Sequence, residues 1–365
     1  MKKSDCIRRL KNLLLATKEK VDLISANKDE IFIFGAGNTT KLHEKCFEAE
    51  NIKPAGFLDN DPKKQGTTPF LTGGGTVSSP SILQGRKDIL VLICSAQINV
   101  RKAVASQLKQ LGLSFLTVDE YVFSKRTAEI LKCVELIEDE ESVEIYCEII
   151  ASRLMGNYPT ENFIYHDQYF ALPKFFEVAE KEVFVDCGAF VGDSVEKYIW
   201  AHDGTFGKIF AFEPDIINFR AMQYRIERLN KEWAFSEDKI CAVNAGVGVR
   251  TAESFIEGHN GTGTRISEKT DSTNDSIKIY ALDDFFANQK IDFLKADIES
   301  FEMDMLQGAE KIIRRDLPKI AICIYHNVSD MYRILLWLAD LNLDYRFSIR
   351  HHQSKYADLV LYAYH

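Results

Sequence analysis

Short apolar runs of strand length alternate with longer stretches of helical periodicity in two separate parts of the chain. In the first part the apolar runs lie at 31–34, 55–58, 89–94 and 114–118, with helical patterns at 39–50 and about 100–111. In the second part they lie at 183–187, 209–213, 240–243, 277–281, 291–296 and 320–325. Because strands that alternate with helices form parallel, doubly wound sheets, the pattern predicts an α/β protein with two Rossmann-like domains.

Three other segments complete the predicted domain organisation. Residues 124–181 have apolar spacings of three and four, which predict helices, and residues 65–80 have the Gly, Thr, Ser and Pro content of an exposed loop. The last two apolar runs, 345–349 and 359–364, are joined by a short polar segment and predict an antiparallel pair. We therefore expect a Rossmann-like domain of unknown role over 1–123, a helical connector over 124–181 and a second α/β domain over 182–365.

Composition narrows the class of protein. A length of 365 residues exceeds one ordinary core. The formal net charge is −9 without a dense Lys/Arg stripe, which argues against nucleic acid as a partner. The eight cysteines show no CxxC pair, and the N-terminal Leu run is too short for an export signal or a membrane span. We expect a cytoplasmic protein without a membrane span, and a homo-oligomer stays open.

The segment 183–194 carries the strongest chemical signal. A buried strand ends in Asp186 and is followed by Gly188, three further residues and Gly192, and a helix is predicted to begin at Asp193. The glycines allow a sharp turn and close approach of a ligand to the backbone. Because the spacing is not Gly-x-Gly-x-x-Gly and an acid ends the strand, a ligand with an ammonium group fits better than a dinucleotide. S-adenosylmethionine carries such a group.

Two more strand ends contribute to the same predicted crevice. Glu213 ends the second strand, 25 residues after Gly188, where an acid accepts the ribose hydroxyl protons in doubly wound folds. Asn244 follows the third strand and is a candidate for the adenine edge. The candidate cofactor-binding residues are Asp186, Gly188, Phe190, Gly192, Asp193, Glu213, Asn244 and Asp297.

Three motifs in this order resemble a known family. They are VDCGAFVGDS at 185–194, FEPDIINF at 212–219, and LDDFF through IDFLKADIESFEMDMLQGAEKII at 282–313. The sequence is similar to FkbM-type methyltransferases over roughly 165–364, with Ser300 where glycine is usual. The resemblance implies a class I methyltransferase sheet with a C-terminal antiparallel hairpin over 182–365. It also implies S-adenosylmethionine-dependent O-methylation, often of a sugar or polyketide hydroxyl.

A sugar hydroxyl is a poor nucleophile, so the reaction needs a base or a metal. Asp297 and Glu299 follow the fourth strand, and His326 follows the next one. We interpret His326 as the general base, with Asp297 or Glu299 positioning the acceptor or a divalent metal whose ligands stay open. A histidine that merely caps a strand end is the competing interpretation of His326. We interpret His351 and His352 as solvated loop residues.

The leading hypothesis is methylation of a small-molecule or glycan-precursor hydroxyl, either of a sugar or of a nucleotide sugar, with specificity in the loop 258–276. An NAD-dependent sugar-nucleotide enzyme is an alternative, because Gly35 and Gly37 form an incomplete glycine fingerprint and Asp59 ends the next strand. No convincing Tyr-x-x-x-Lys dyad supports it. Loss of Asp186 or Glu213 would favour a non-catalytic nucleotide-binding protein, and both are present. For the N-terminal domain, nucleotide-sugar docking, a dimer interface and a vestigial fold stay open.

Overall fold

The computed structural model of the chain describes residues 3–69, 75–160, 164–257, 265–267 and 276–365. The chain divides into two compact units. The first unit comprises residues 1–164, 325–336 and 353–357, and the second comprises 165–324, 337–352 and 358–365. Most of the loop predicted to set acceptor specificity, 258–276, lies outside the described residues.

The first unit contains a five-stranded parallel sheet flanked by helices. Its elements are α1 (Lys3–Ser25), β1 (Glu30–Phe34), α2 (Asn38–Leu42), α3 (Glu44–Ala49), β2 (Pro54–Leu58), β3 (Val77–Ser78), β4 (Ile89–Ile93), α4 (Ile98–Gln110), β5 (Ser114–Thr117), α5 (Val118–Lys125), α6 (Thr127–Leu136) and α7 (Glu140–Met155). The strand order is β3-β2-β1-β4-β5, and every neighbouring pair is parallel. This arrangement confirms the Rossmann-like prediction.

Two details of the first unit differ from the prediction. The helix predicted over 39–50 is two short helices, α2 and α3, which meet at His43. The loop predicted over 65–80 contains β3, which pairs with β2 through Phe57 and Leu58. A two-residue strand is too short to produce a hydrophobic period, so the turn-forming residues around it dominate the pattern.

The second unit contains a seven-stranded sheet and a smaller four-stranded sheet. Its elements are β6 (Val183–Cys187), α8 (Asp193–Ala201), β7 (Lys208–Phe212), α9 (Ile216–Glu232), β8 (Ile240–Val243), β9 (Gly246–Val247), β10 (Ala252–Glu257), β11 (Arg265–Ser267), β12 (Ser276–Tyr280), α10 (Leu282–Phe285), β13 (Phe293–Ala296), α11 (Glu302–Gln307), α12 (Glu310–Asp316), β14 (Lys319–Cys323), β15 (Arg346–His351) and β16 (Leu359–Tyr364). The remaining helix, α13 (Asp330–Asp340), begins in the first unit and ends in the second.

The order of the large sheet is β15-β16-β14-β13-β6-β7-β8. The pairs from β14 to β8 are parallel, and β16 is antiparallel to both β14 and β15. The predicted parallel sheet with a C-terminal antiparallel hairpin is therefore confirmed. Among the described helices, none has an apolar stretch long enough to cross a bilayer.

The strand predicted at 277–281 does not belong to the large sheet. It is β12, and it lies in a four-stranded sheet of order β11-β10-β12-β9. Ile277 and Ile279 are buried, whereas Ser276 and Lys278, which alternate with them, are exposed. Strands covered on both faces are buried at every position, as β6 and β14 are, so the alternation in β12 is typical of a strand with one solvent face.

Candidate active site

The strands β7, β6 and β13 end level with one another at one edge of the large sheet. Cys187, the last residue of β6, lies opposite Phe212 of β7 and Ala296 of β13. The residues that follow these strands, Gly188, Glu213 and Asp297, therefore emerge side by side. In open α/β sheets the crevice outside the carboxyl ends of the strands is where ligands bind.

The turn after β6 requires glycine. Gly188 has a φ of +82°, and a Cβ atom there would lie 2.0 Å from the carbonyl oxygen of Asp297. The N–H groups of Gly188 and Ala189 both donate to the Phe212 carbonyl, at 3.1 and 2.9 Å. Phe190 also has a positive φ, of 48°. The backbone of this turn is thus held against both neighbouring strand ends.

The turn leads into α8 without a side-chain cap. Gly192 is the N-cap residue with a φ of +80°, and Asp193 is the first helical residue. An acid in the first turn of a helix interacts favourably with the positive end of the helix dipole. Gly192 and Asp193 therefore lie at the end of the turn, as the sequence predicts.

Glu213 is buried, with 5% of its surface exposed. Its carboxylate accepts hydrogen bonds from the N–H of Phe190 and the N–H of Asp215, both at 2.9 Å. Burial raises the pKa of Glu213 to about 7, although these N–H groups and the Asn218 amide oppose the rise. This carboxyl group therefore changes from protonated to ionised near neutral pH.

The side chain of Asn244 bonds back to the same strand end. Its amide donates to the carbonyl oxygens of Glu213 and Pro214, at 2.9 and 3.1 Å. This pair of bonds fixes the chain around Glu213 and joins the ends of β7 and β8.

Asp186 lies one residue before the end of β6 and is fully buried. Its carboxylate is 2.8 Å from the ammonium group of Lys295 on β13 and accepts a hydrogen bond from the Ser194 hydroxyl. Lys295 also donates to the Gly188 carbonyl at 2.8 Å. Burial lowers the pKa of Lys295, but Asp186 and Asp297 outweigh it and the net shift is upward. Lys295 is thus a buried cation that ties Asp186 to the glycine turn.

Asp297 is held by a tyrosine from outside the strands. The Tyr169 hydroxyl donates to the Asp297 carboxylate at 2.6 Å, and the Lys295 ammonium lies 5.0 Å from the centre of the Tyr169 ring. Tyr169 has a φ of 71°, a conformation that side chains other than glycine rarely adopt. The hydrogen bonds of Tyr169 with Asp297 and Tyr362 hold it in this conformation.

A chain of hydrogen bonds continues from Tyr169 to a histidine. The Tyr169 N–H donates to the Tyr362 hydroxyl at 3.1 Å, and this hydroxyl lies 2.9 Å from Nε2 of His352. Nδ1 of His352 lies 2.9 Å from the Tyr165 carbonyl. The interpretation of His351 and His352 as solvated loop residues is therefore wrong. His351 is buried at the end of β15, and burial lowers the pKa of His352 to about 4.

The segment after Asp297 contains two consecutive left-handed residues. Glu299 has a φ of 54° and Ser300 a φ of 77°. Glu302, the first residue of α11, is fully buried and accepts a hydrogen bond from the Ile298 N–H at 2.9 Å. A carboxylate oxygen of Asp297 and one of Glu302 lie within 4.8 Å of each other. Glu302 is thus an acidic neighbour of Asp297 within the second unit.

His326 follows β14 and is buried, with 5% of its surface exposed. It belongs to the segment 325–336 of the first unit. Its sequence position next to β14 is as predicted, and its role stays a prediction.

Comparison with known proteins identifies the family of the domain that contains this site. Residues 186–347 match the family model described as the methyltransferase FkbM domain. These residues form an FkbM methyltransferase domain. The chain is therefore an S-adenosylmethionine-dependent methyltransferase, as the resemblance of the three motifs implies. No protein in a search of the curated proteins matches the chain.

One solved structure shares the fold of the chain, and two others are similar to about half of it at low TM-scores. The methyltransferase FkbM of Methylobacillus flagellatus KT matches with a TM-score of 0.57 and 18% identity, over 99% of both chains. An rRNA methylase of Streptococcus thermophilus matches at a TM-score of 0.32 and 14% identity, over 51% of this chain and 89% of that one. SMU.1697c, a putative methyltransferase of Streptococcus mutans in complex with SAH, matches at 0.32 and 12%, over 52% and 92%. The first match shows that the fold extends over the whole chain.

The backbone conformation of Ser300 explains why glycine is usual at this position in FkbM-type sequences. Its φ of 77° lies in the region that glycine adopts without a steric penalty. The FkbM domain of this chain therefore keeps the left-handed turn with serine.

The residues around the turn fit the methyl donor. Glycine at 188 and 192 lets the turn pack closely, because Cβ atoms there would lie 2.0 Å from the Asp297 carbonyl oxygen and 3.1 Å from the Met222 side chain. Glu213 offers carboxylate oxygens at the neighbouring strand end. Sequence reasoning missed Lys295 and Tyr169 as parts of this FkbM site. The available signal for Lys295 was a lysine within an otherwise apolar buried strand, Phe293–Ala296.

Proposed function

We propose that the FkbM domain methylates a hydroxyl group of a sugar, a nucleotide sugar or a glycan precursor. The observation that carries this proposal is the hydrogen bond from Tyr169 to Asp297, beside the glycine turn. A carboxylate that is held as an acceptor at this strand end can accept a second hydrogen bond from a substrate hydroxyl. Such a contact orients the hydroxyl oxygen and leaves its lone pair for attack.

In this proposal each strand end binds a different part of the cofactor. Glu213 accepts the ribose hydroxyl protons, Asn244 lies near the adenine edge, and the turn from Gly188 through Phe190 to Gly192 and Asp193 supports the rest. S-adenosylmethionine, when bound, supplies a methyl group activated by its sulfonium. The protein contributes orientation and exclusion of water, because the displacement is in line.

Asp186 contributes through Lys295. Since its carboxylate is fully buried and paired with Lys295 and Ser194, we assign it a positioning role. Lys295 carries the effect to the Gly188 carbonyl and therefore to the turn. Lys295 would thus orient the Gly188 carbonyl in the turn that holds the ammonium group of the cofactor when it is bound.

The acceptor hydroxyl must lose a proton, and we propose His326 as the base. It follows β14, the strand that pairs with β13, and a neutral imidazole nitrogen can take the proton. Asp297 or Glu299 positions the hydroxyl group.

A divalent metal is the other route to an activated hydroxyl. Asp297 and Glu302 place two carboxylate oxygens within 4.8 Å, and such oxygens are the ligands that Mg²⁺ and Ca²⁺ prefer. Dialysis against EDTA separates the two routes. Loss of methyl transfer that Mg²⁺ restores supports the metal, and unchanged activity supports the base alone.

The first experiment is calorimetric titration of S-adenosylmethionine, with NAD in parallel, into the wild type and Glu213→Ala. Saturable binding of the methyl donor that the variant loses supports the proposed cofactor site. Binding of NAD alone contradicts it and favours a sugar-nucleotide enzyme of the first unit.

The second experiment follows a labelled methyl group from the cofactor to a panel of sugars, nucleotide sugars and glycan precursors. We expect label in a product that resists base, because a methyl ether resists base and a methyl ester does not. His326→Ala and Asp297→Asn should each lower kcat by about a hundredfold or more, and His326→Ala should leave the Kd for S-adenosylmethionine unchanged. Base-labile label, or label only in RNA or protein, contradicts the proposal.

A further inference from the structure

The turn after β1 in the first unit repeats the hydrogen bonds of the turn after β6. The Gly35 N–H donates to the Leu58 carbonyl at 2.8 Å, as the Gly188 N–H donates to the Phe212 carbonyl at 3.1 Å. Both glycines have positive φ values, 116° and 82°. In each unit the carbonyl that is used belongs to the residue just before an acid, Asp59 or Glu213.

The two acids have the same backbone partners. Asp59 accepts from the N–H of Ala36 in the turn and from the N–H of Asp61, both at 2.9 Å. Glu213 accepts from the turn and from the residue two positions later in the same way. Each carboxylate thus links its own strand end to the preceding glycine turn.

The third strand end completes the equivalence. The Cys94 N–H donates to the Phe34 carbonyl at 2.9 Å, and a Cβ atom on Gly35 would lie 2.6 Å from the Cys94 carbonyl oxygen. Asp297 has the same two relations to Cys187 and Gly188. The strands β2, β1 and β4 therefore form at their carboxyl ends the same crevice as β7, β6 and β13.

The charges in the two crevices differ. Lys64 places its ammonium group 2.9 Å from Asp59, and this nitrogen lies 3.7 Å from where a Cβ atom on Gly37 would be. The Lys64 side chain is 38% exposed, so a ligand can reach it. Burial raises the pKa of Asp59, but the Asp61 N–H and Lys64 outweigh it and the net shift is downward. A fixed carboxylate beside a cation over the turn suits a ligand with hydroxyl groups and negative charge.

We propose that the first unit binds a nucleoside diphosphate in this crevice. Asp59 accepts the ribose hydroxyl protons, and Lys64 binds a phosphate over Gly37. The ammonium group has three donors, and one of them suffices for Asp59. This site is separate from the methyl-donor site and does not depend on the proposed acceptor.

The test is calorimetric titration of ADP, GDP, CDP and UDP into the full chain saturated with S-adenosylhomocysteine. We expect at least one of them to bind saturably with one site per chain. Lys64→Met and Asp59→Asn should each weaken this binding by about tenfold or more, and neither should change the affinity for S-adenosylhomocysteine. Lys63→Met removes a neighbouring exposed lysine and serves as the control for charge.

Glu213→Gln provides the reciprocal variant. It should weaken binding of S-adenosylhomocysteine and leave the nucleoside diphosphate unaffected. The proposal is overturned if none of the four nucleotides binds at millimolar concentration, or if Lys64→Met and Lys63→Met weaken binding equally. Binding that Glu213→Gln abolishes would place the nucleotide in the methyl-donor site and overturn it as well.

Discussion

The ammonium group of Lys295 lies 2.8 Å from the carboxylate of Asp186, and both side chains are almost completely buried. They are direct neighbours across the pairing of β13 with β6. A buried pair is costly to break because the remaining charge has no water around it. The pair therefore fixes the strand end from which the glycine turn starts.

Removal of one partner should destabilise the second unit strongly. We expect Lys295→Met to lower its free energy of unfolding by about 3–5 kcal/mol, the usual cost of an uncompensated buried charge. The unfolding can be followed in urea by tryptophan fluorescence, because Trp200, Trp233 and Trp337 all lie in the second unit.

The double variant Asp186→Leu, Lys295→Met is the control for this prediction. Because it leaves no single buried charge, it should recover a large part of the stability that Lys295→Met loses. Additive losses in the double variant would show that the two residues act independently.

Cofactor binding should depend on pH through Glu213. Burial raises the pKa of its carboxyl group to about 7, so the group is protonated below pH 7 and ionised above it. Ribose hydroxyls donate to the ionised form, and we therefore expect S-adenosylhomocysteine to bind about tenfold more tightly at pH 8 than at pH 6. Calorimetry at the two pH values measures the ratio.

The control uses a ligand without the amino group of the cofactor. Adenosine should show the same pH dependence as S-adenosylhomocysteine, because both have the ribose hydroxyls. Glu213→Gln has no titrating group at this position, so its affinity for both ligands should be the same at pH 6 and pH 8. A ratio in adenosine binding that survives in the variant would assign the titration to another group.

Much of the fold could be predicted because continuous apolar runs identify strands that are covered on both faces. This holds for residues 183–185 of β6 and 320–323 of β14, since all five residues of both strands are buried. The strand β12 was placed in the wrong sheet because its apolar residues were counted and their alternation was not. Strand β3 could not be predicted, since two residues carry no period.

The site divides in the same way into local and distant parts. Gly188 and Glu213 could be placed because each follows a recognisable strand end. The contacts of Asp186 with Lys295 and of Tyr169 with Asp297 depend on strand register and on segments far apart in sequence. No local sequence pattern contains that register. The sequence therefore indicated an apolar strand and gave Lys295 no role in the site.

Gly188 should tolerate no side chain. A Cβ atom there would lie 2.0 Å from a backbone oxygen, in addition to the strain of a positive φ. We expect Gly188→Ala to abolish binding of S-adenosylmethionine and to lower the urea midpoint of the second unit. Gly66→Ala is the matched control, because Gly66 has a φ of +84° and nothing within 4 Å of its Cβ position.

The control separates strain from collision. Gly66→Ala should cost about 1–2 kcal/mol, the price of a left-handed alanine, and should leave cofactor binding intact. If Gly188→Ala also bound the cofactor with wild-type affinity, the close contact between this turn and Asp297 would have no role in the site.

His352 should make the second unit sensitive to acid. Burial lowers its pKa from 6.5 to about 4, so the folded state favours the neutral ring that accepts from Tyr362 and donates to Tyr165. This contribution is fully present above pH 6.5 and is lost as the pH falls from 6.5 towards 4. Between pH 7.5 and pH 5 we expect a loss of about 2 kcal/mol.

The loss is measured as the difference between the wild type and His352→Gln in urea unfolding at the two pH values. Glutamine is neutral at both, so the variant should lack this part of the acid sensitivity. His166→Gln replaces an exposed histidine of the same unit and should keep the wild-type loss. Equal acid sensitivity in the wild type and His352→Gln would show that the ring is protonated in the folded state without cost. The bonds through Tyr362 to Tyr169 would then have to rearrange without loss of stability.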